Sequence, residues 1–409
     1  MTEVRRTRGA AAGARPRRRW LSRVLLPPAT GETTPLFLVL AATVVVLVLL
    51  GLLMTFSASF VQAAADTAAS GEPDAFSIFR RQLLWALLGV PLTIGVALRD
   101  YRTWRPYVNV LVVVALVLAV LVVVPGIGIE RSGARRWLGV EPLVFQPAEL
   151  LKLTVPLFCA HVLAQRWGRL KSGDLQALLI PVLPMLVLVA ALVMAEPDLE
   201  TAAMLVAIGI AVLYVAGLPT HLLVTGTLLG GALVGVGIAS AGFRMGRFSA
   251  WLDPTSSAAQ FGYQTLQGYY ALGTGGWLGT GVGAGRGKWL YVPNAHTDFI
   301  FAIIGEELGL IGALIVLALY TVIAVVGVRI AATAPDSFGR LLATGLVSAI
   351  LLQAGINMGS VVGLLPVTGV TLPFVSFGGT SLVITMVGAG LLMSIARHAR
   401  PAGPKASEQ

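Results

Sequence analysis

Apolar residues run almost without interruption along most of this chain, and the charges are confined to short segments between the runs. Runs of about 18 or more apolar residues have the length of a membrane-crossing helix. None shows the strict alternation of a membrane β-strand. Ten runs can be marked: Leu36–Phe56, Gln82–Leu98, Tyr107–Val124, Gln146–Trp167, Leu175–Ala195, Leu199–Ala216, Thr220–Ala239, Asp298–Val328, Leu341–Val362 and Ser381–Ala396. Pro181 and Pro184 are expected to break the fifth, and the eighth is long enough to tilt or project. The pattern predicts an all-α polytopic membrane protein of about ten helices. The membrane domain is expected over residues 35–397, between a basic disordered tail at 1–34 and a short tail at 398–409. One long loop, 241–298, is expected between helices seven and eight.

Composition sharpens this reading. The chain is 56% hydrophobic and 12% charged, against about 25% charged for a soluble domain. Its net charge of +10 does not call for nucleic acid, because Lys and Arg gather beside the runs, where they orient spans. Nineteen of the 29 Lys and Arg lie on the side of the N-terminal tail, nine on the opposite side, and Lys152 within a run. This bias puts both termini in the cytoplasm. Arg17, Arg18 and Arg19 are not read as a secretion signal, since the apolar run after them is too long for a cleaved one. The single cysteine, Cys159, excludes an internal disulfide and a cysteine-rich metal site, and the four histidines have no zinc spacing.

Seven of the nine outer cations fall in two segments, Glu130–Gly139 and the long loop. They suit an anionic ligand at the membrane surface, such as a lipid phosphate; contact with anionic headgroups accounts for them equally well. Asp298 stands at the mouth of the eighth run. It could cap that helix or act as a general base, and the readings conflict, because a helix N-terminus stabilises the carboxylate and weakens it as a base. Glu306 and Glu307 lie two turns further on, Glu306 within about 80° of the Asp298 face and Glu307 nearly opposite. Glu149 and Lys152, at i and i+3, share a face and either staple the bundle or line a polar cavity opening outward. Glu196, Asp198 and Glu200 form an acidic turn expected to pair with the outer arginines. The glycines from 273 to 287 fail a phosphate-loop match, since Trp289 follows Lys288, though their N–H groups could cradle a pyrophosphate. Pro366, Pro373, Gly378 and Gly379 break the ends of runs nine and ten and are expected to wall a cavity.

AHTDFIFAIIGEELG, LPVTGVTLPFVSFGGTS, GARRWLG with FQPAELLKL, and EPDLETA together resemble the SEDS (shape, elongation, division and sporulation) family, collinearly from about Leu36 to Arg397. GEELG after HTDFIFA is nearer the division type than the elongation type. The resemblance implies a peptidoglycan glycosyltransferase that polymerises lipid II at the outer face of the bacterial cytoplasmic membrane and releases undecaprenyl pyrophosphate. It implies Asp298 as the catalytic residue. Arg136, Lys152, Glu149, Arg244 and Arg247 are expected to bind substrate or pyrophosphate, with Glu306, Glu307, His296 and Asp198 in support. It implies a class B penicillin-binding protein, a transpeptidase, as partner, together with other division proteins. It makes no cofactor certain and is compatible with a divalent cation. Glu196 and Glu200 depart from the family's Gln-Pro-Asp-Leu-Gly, and Thr368 stands where some division relatives carry lysine. A lipid II flippase and a non-catalytic division scaffold are the competing readings.

Overall fold

The computed structural model describes residues 31–68, 73–131, 134–140 and 143–399. Of the tails expected at 1–34 and 398–409, only 31–34 and 398–399 fall within them. All ten apolar runs are helical. They are α1 (Pro35–Ala68), α2 (Ser77–Leu98), α3 (Val108–Val123, led in by a 3-10 turn over Tyr101–Tyr107), α4 (Pro147–Gln165), α6 (Leu175–Ala195), α7 (Leu199–Val215), α8 (Thr220–Ala239), α11 (Ile300–Thr333), α12 (Ser337–Val361) and α13 (Gly379–Arg397). Shorter helices α5 (Trp167–Lys171), α9 (Gly242–Leu252) and α10 (Phe261–Gly275) lie between them. Among the described residues nine helices are long and apolar enough to cross a membrane. The remaining one, α7, has 17 residues and rises only about 26 Å. The chain is therefore a multi-pass membrane protein.

Burial ranks the helices. The apolar stretches of α4, α12 and α13 are 67%, 61% and 67% buried and form the centre, whereas that of α8 is 0% buried and is peripheral. At one end of the bundle the first and last helices are latched together: Glu32 N–H donates to Arg397 O at 2.9 Å, Thr34 Oγ1 to Ala396 O at 3.0 Å, and an Arg397 Nη to Gly31 O at 3.1 Å. At the opposite end the connections carry the structure that bears on function.

Four expectations are corrected. First, α6 runs unbroken through Pro181 and Pro184. Val182, Met185, Val189 and Val193 bury its other face, and the few freed backbone groups are tolerated in a packed membrane helix. Second, α1 continues beyond Phe56 to Ala68, because its last turns find a packing partner: Phe60 meets Trp289 edge-on with ring centroids 6.1 Å apart. Third, the segment read as a loop at 129–145 contains a three-stranded antiparallel sheet, β1 (Ile129–Arg131), β2 (Ala134–Val140) and β3 (Leu143–Phe145), with Glu130 opposite Arg135 and Leu138 opposite Phe145. Fourth, the loop 241–298 holds α9 and α10 and a single π turn at Gly287–Tyr291.

α11 is also not one rod. Gly309 has φ 71° and ψ −170°, which divides the helix into a short buried half, 300–308, and a long half, 310–333. The turn segment 276–281 fits into the break. Thr280 and Gly281 N–H donate to the freed carbonyls of Glu306 and Glu307 at 2.9 and 3.0 Å. Leu310 and Ile311 N–H donate to Gly276 O and Trp277 O at 2.9 and 3.2 Å. A Cβ on Gly309 would come within 2.4 Å of Gly279 N, on a backbone conformation only glycine adopts freely. Gly309→Ala is therefore expected to destabilise the protein by about 1–3 kcal/mol from strain alone, read as a lower Tm in detergent. Gly226→Ala, at a helix position with open space around it, should leave Tm unchanged or higher.

Candidate functional site

Asp298 lies in the turn just before α11, but it does not cap that helix. The helix begins at Ile300, and Phe299 at its N-cap makes no side-chain cap bond. The turn is held by its main chain instead. Asn357 Nδ2 donates to Asp298 O at 2.8 Å and to Val370 O at 2.7 Å. Ser376 Oγ donates to Thr297 O at 2.6 Å, and Phe377 N–H to His296 O at 2.8 Å. The proline- and glycine-broken segment before α13 thus walls the turn, and a Cβ on Gly369 would meet Asp298 Oδ2 at an ordinary contact distance of 3.5 Å.

The carboxylate is half-buried as surface, yet protein surrounds it closely enough that desolvation pushes its pKa up to about 6. Arg247 and the Thr297 hydroxyl pull it down, and Glu200 pushes it up. Burial drives His296 the other way, down to about 4, so its ring is neutral near pH 7 and supplies no cation for a phosphate. Around this turn His296 Nδ1, Asn357 Oδ1 and Thr368 Oγ1 are buried without a protein partner. Such atoms ordinarily find one in water or a ligand, and sugar hydroxyls would serve.

A second group adjoins the first. Arg136, on β2, donates Nε to Glu196 O at 3.1 Å and Nη2 to Pro197 O at 2.5 Å, and its Nη1 lies 3.7 Å from Asp198 Oδ2. Asp198 caps α7, accepting from Thr201 N–H at 3.0 Å, and also accepts from Gln146 Nε2 at 3.4 Å. Glu200 Oε1 lies 3.8 Å from Arg247 Nη1 on α9. The acidic turn therefore pairs with outer arginines. Glu196 is the exception: both carboxyl oxygens are buried without partners, and desolvation with Asp198 nearby raises its pKa to about 8. Arg244, expected to bind the anion, instead donates to Gly237 O at the end of α8 at 3.0 Å and lies over the Phe243 ring. It completes a helix end.

Glu149 and Lys152 pair at 2.5 Å on α4, both nearly fully buried. Lys152 Nζ also donates to Gln353 Oε1 at 2.9 Å, and Gln353 Nε2 reaches Thr371 O at 3.0 Å, Thr371 Oγ1 at 3.2 Å and Ser381 Oγ at 3.3 Å. A small cavity, with Leu153, Leu346, Ile350 and Ile384 in its wall, touches Lys152 and Gln353. Gln353 and Asn357 are one turn apart on α12, so a single helix face joins the charge pair to the Asp298 turn. Sequence reasoning passed over both amides; two amides at i and i+4 in an apolar run were the available signal.

Glu306 and Glu307 are not in this site. Glu306 accepts Arg286 and Gly287 N–H at 2.7 and 3.1 Å, and Glu307 accepts Gly283 N–H at 3.0 Å. Glu307 is also paired at 3.0 Å with buried Lys288, and Ser57 Oγ donates to it at 2.7 Å. These carboxylates occupy the N–H groups of the glycine-rich segment that an anion would have used. The facing angle expected for Glu306 presumed a helix unbroken from Asp298; the helix starts two residues later, and both side chains turn to the glycine segment. Among the described residues no group of His, Cys, Asp and Glu has the geometry of a metal site.

A model of the cell cycle protein family comprising FtsW, RodA and SpoVE matches residues 37–401. The chain is 38% identical to the stage V sporulation protein E of Bacillus subtilis over 91% of its own length and 99% of that protein. It is 42% identical to a probable peptidoglycan glycosyltransferase FtsW of Mycobacterium tuberculosis, over 94% of this chain and 71% of that one. Its fold is similar to a chain in a structure described as the structural coordination of polymerization and crosslinking by a peptidoglycan synthase complex, with TM-score 0.70 and 28% identity over 88% and 96% of the two chains. The rod shape determining protein RodA of Thermus thermophilus is also similar, with TM-score 0.61 and 27% identity over 88% and 97%.

Proposed function

The chain belongs to the cell cycle protein family of FtsW, RodA and SpoVE, and on that premise we propose that it is a peptidoglycan glycosyltransferase of cell division. Its substrate is lipid II, presented at the outer face of the bacterial cytoplasmic membrane, with both chain ends in the cytoplasm. The observation that carries the chemistry is Asp298: an uncapped carboxylate with its pKa raised to about 6, poised to accept a proton near neutral pH. Asp298 removes the proton from the 4-hydroxyl of the acceptor sugar. The oxygen attacks the anomeric carbon of the donor from the opposite face, the bond from that carbon to the pyrophosphate oxygen breaks, and the electron pair leaves with undecaprenyl pyrophosphate. Arg136 and Arg247 face the departing charge, with Glu149, Lys152 and Gln353 as a rigid polar backing. A class B penicillin-binding protein fits as the partner that crosslinks the product.

The flippase reading fits less well. The buried polar groups named above gather at the end bearing Asp298, whereas the opposite end offers the surface cluster of Arg102, Asp100 and Asp336. The test is polymerisation of labelled lipid II by the purified protein with its transpeptidase. Glycan should form, and the rate should fall as pH drops through about 6, because the raised pKa leaves Asp298 protonated below it. Translocation of lipid II across vesicles without any glycan product would replace this reading with transport.

A further inference from the structure

We propose that Glu200 is a positioning residue: it holds the Arg247 guanidinium to itself, away from Asp298, and so keeps that carboxylate a competent base. The inference deepens the glycosyltransferase reading and rests on Asp298 as the base. Glu200 stands in the first turn of α7, two residues after the capping Asp198, and Arg247 comes from α9, an element with no other tie to α7 described above. The pair is 3.8 Å apart, with side chains 21% and 41% exposed, so solvent screens it only in part.

Arg247 acts on two carboxylates. It is paired with Glu200, and among the described residues it is beyond ion-pair distance from Asp298 while still favouring that group's anion. Among the described residues the charged groups that act on Asp298 are Arg247 and Glu200; α12 offers Asn357 and the segment before α13 Gly369, while His296 on the same turn is neutral and has Asp66 of α1 acting on it. Glu200 itself is faced by Asp198 and Arg136 besides Arg247. Asp298 is thus governed by one cation and one anion, and the anion restrains the cation. Removing the charge of Glu200 takes away its own repulsion of the Asp298 anion and frees Arg247 to move toward it. Both effects stabilise the ionised carboxylate and weaken the base.

The experiment is the pH profile of kcat/KM for lipid II polymerisation by the full chain with its transpeptidase. Glu200→Gln should move the acid limb down by ~0.5–1 pH unit, within the range for a carboxylate gaining a nearby cation, and should lower the plateau. Arg247→Gln should move the limb up, and the double variant should return it toward the wild-type position. Glu200→Asp, which keeps the charge, should hold it there. A Glu200→Gln limb that coincides with wild type, even at a lower rate, overturns the proposal, because a merely structural role lowers the rate without moving the limb. If Glu200→Gln fails to fold, an unmoved limb in Arg247→Gln overturns it as well. Polymerisation by Asp298→Asn would instead overturn the base assignment, so the two failures are distinguishable.

Discussion

Asp298→Asn is expected to lose glycan polymerisation while keeping the fold. General-base catalysis contributes roughly 10²–10⁴-fold, and asparagine cannot take the proton. The substitution is clean for structural reasons. The bonds from Asn357, Ser376 and Phe377 that fix the turn all end on main-chain carbonyls of residues 296–298, so none depends on the carboxylate. No helix cap is lost, since α11 starts without one. The variant should purify as a monodisperse protein with a Tm at or above that of wild type, because a costly half-buried charge is gone. Polymer length and yield from labelled lipid II then read the chemistry alone. Product at the wild-type rate would keep the enzyme but remove Asp298 as its base.

The second large effect is on stability. Lys288 and Glu307 are an ion pair with side chains 3% and 0% exposed, sealed by Ser57 and by the Gly283 backbone at both its N–H and its carbonyl. Removing one partner strands a buried charge, at a cost of about 3–5 kcal/mol. Lys288→Met and Glu307→Gln should each lower Tm sharply in detergent, whereas Lys288→Met combined with Glu307→Gln should recover part of the loss. Additive losses in the double variant would show that the two side chains do not act as a pair.

The helices were legible because lipid leaves a strong periodless signal, and the ends of α6 and α8 match their apolar runs to the residue. The Asp298 turn was legible because a lone carboxylate at the mouth of an apolar run has few uses. The division of α11 was not, since Gly309 in GEELGLIG looks like any tolerated helix glycine until the 276–281 segment is seen filling the gap. The destination of Glu306 and Glu307 was hidden for the same reason: helical angles hold only along an unbroken helix. Arg244 and Arg247 are equal in sequence, one turn apart and both basic, yet one completes a helix end and the other meets Glu200. Only the packing of α9 separates them. The strands around Arg136 were missed because the polar segment 130–136 lacks the alternation that marks a strand.

The latch between Glu32, Thr34 and the end of α13 bears on how the protein is made. Helices leave the ribosome in order, so α1 and α2 enter the bilayer long before α13, against which α2 packs along much of its length. Gln82 of α2 is buried, and its partners, Ser376 O at 3.1 Å and Gly378 N at 3.3 Å, belong to the segment that leads into that helix. Those partners are made only as translation nears its end. The Asp298 turn, walled by that same segment, takes its final shape only when this last piece packs. A chain not yet made as far as Ser376 and Phe377 therefore holds Asp298 without the bonds that fix its turn.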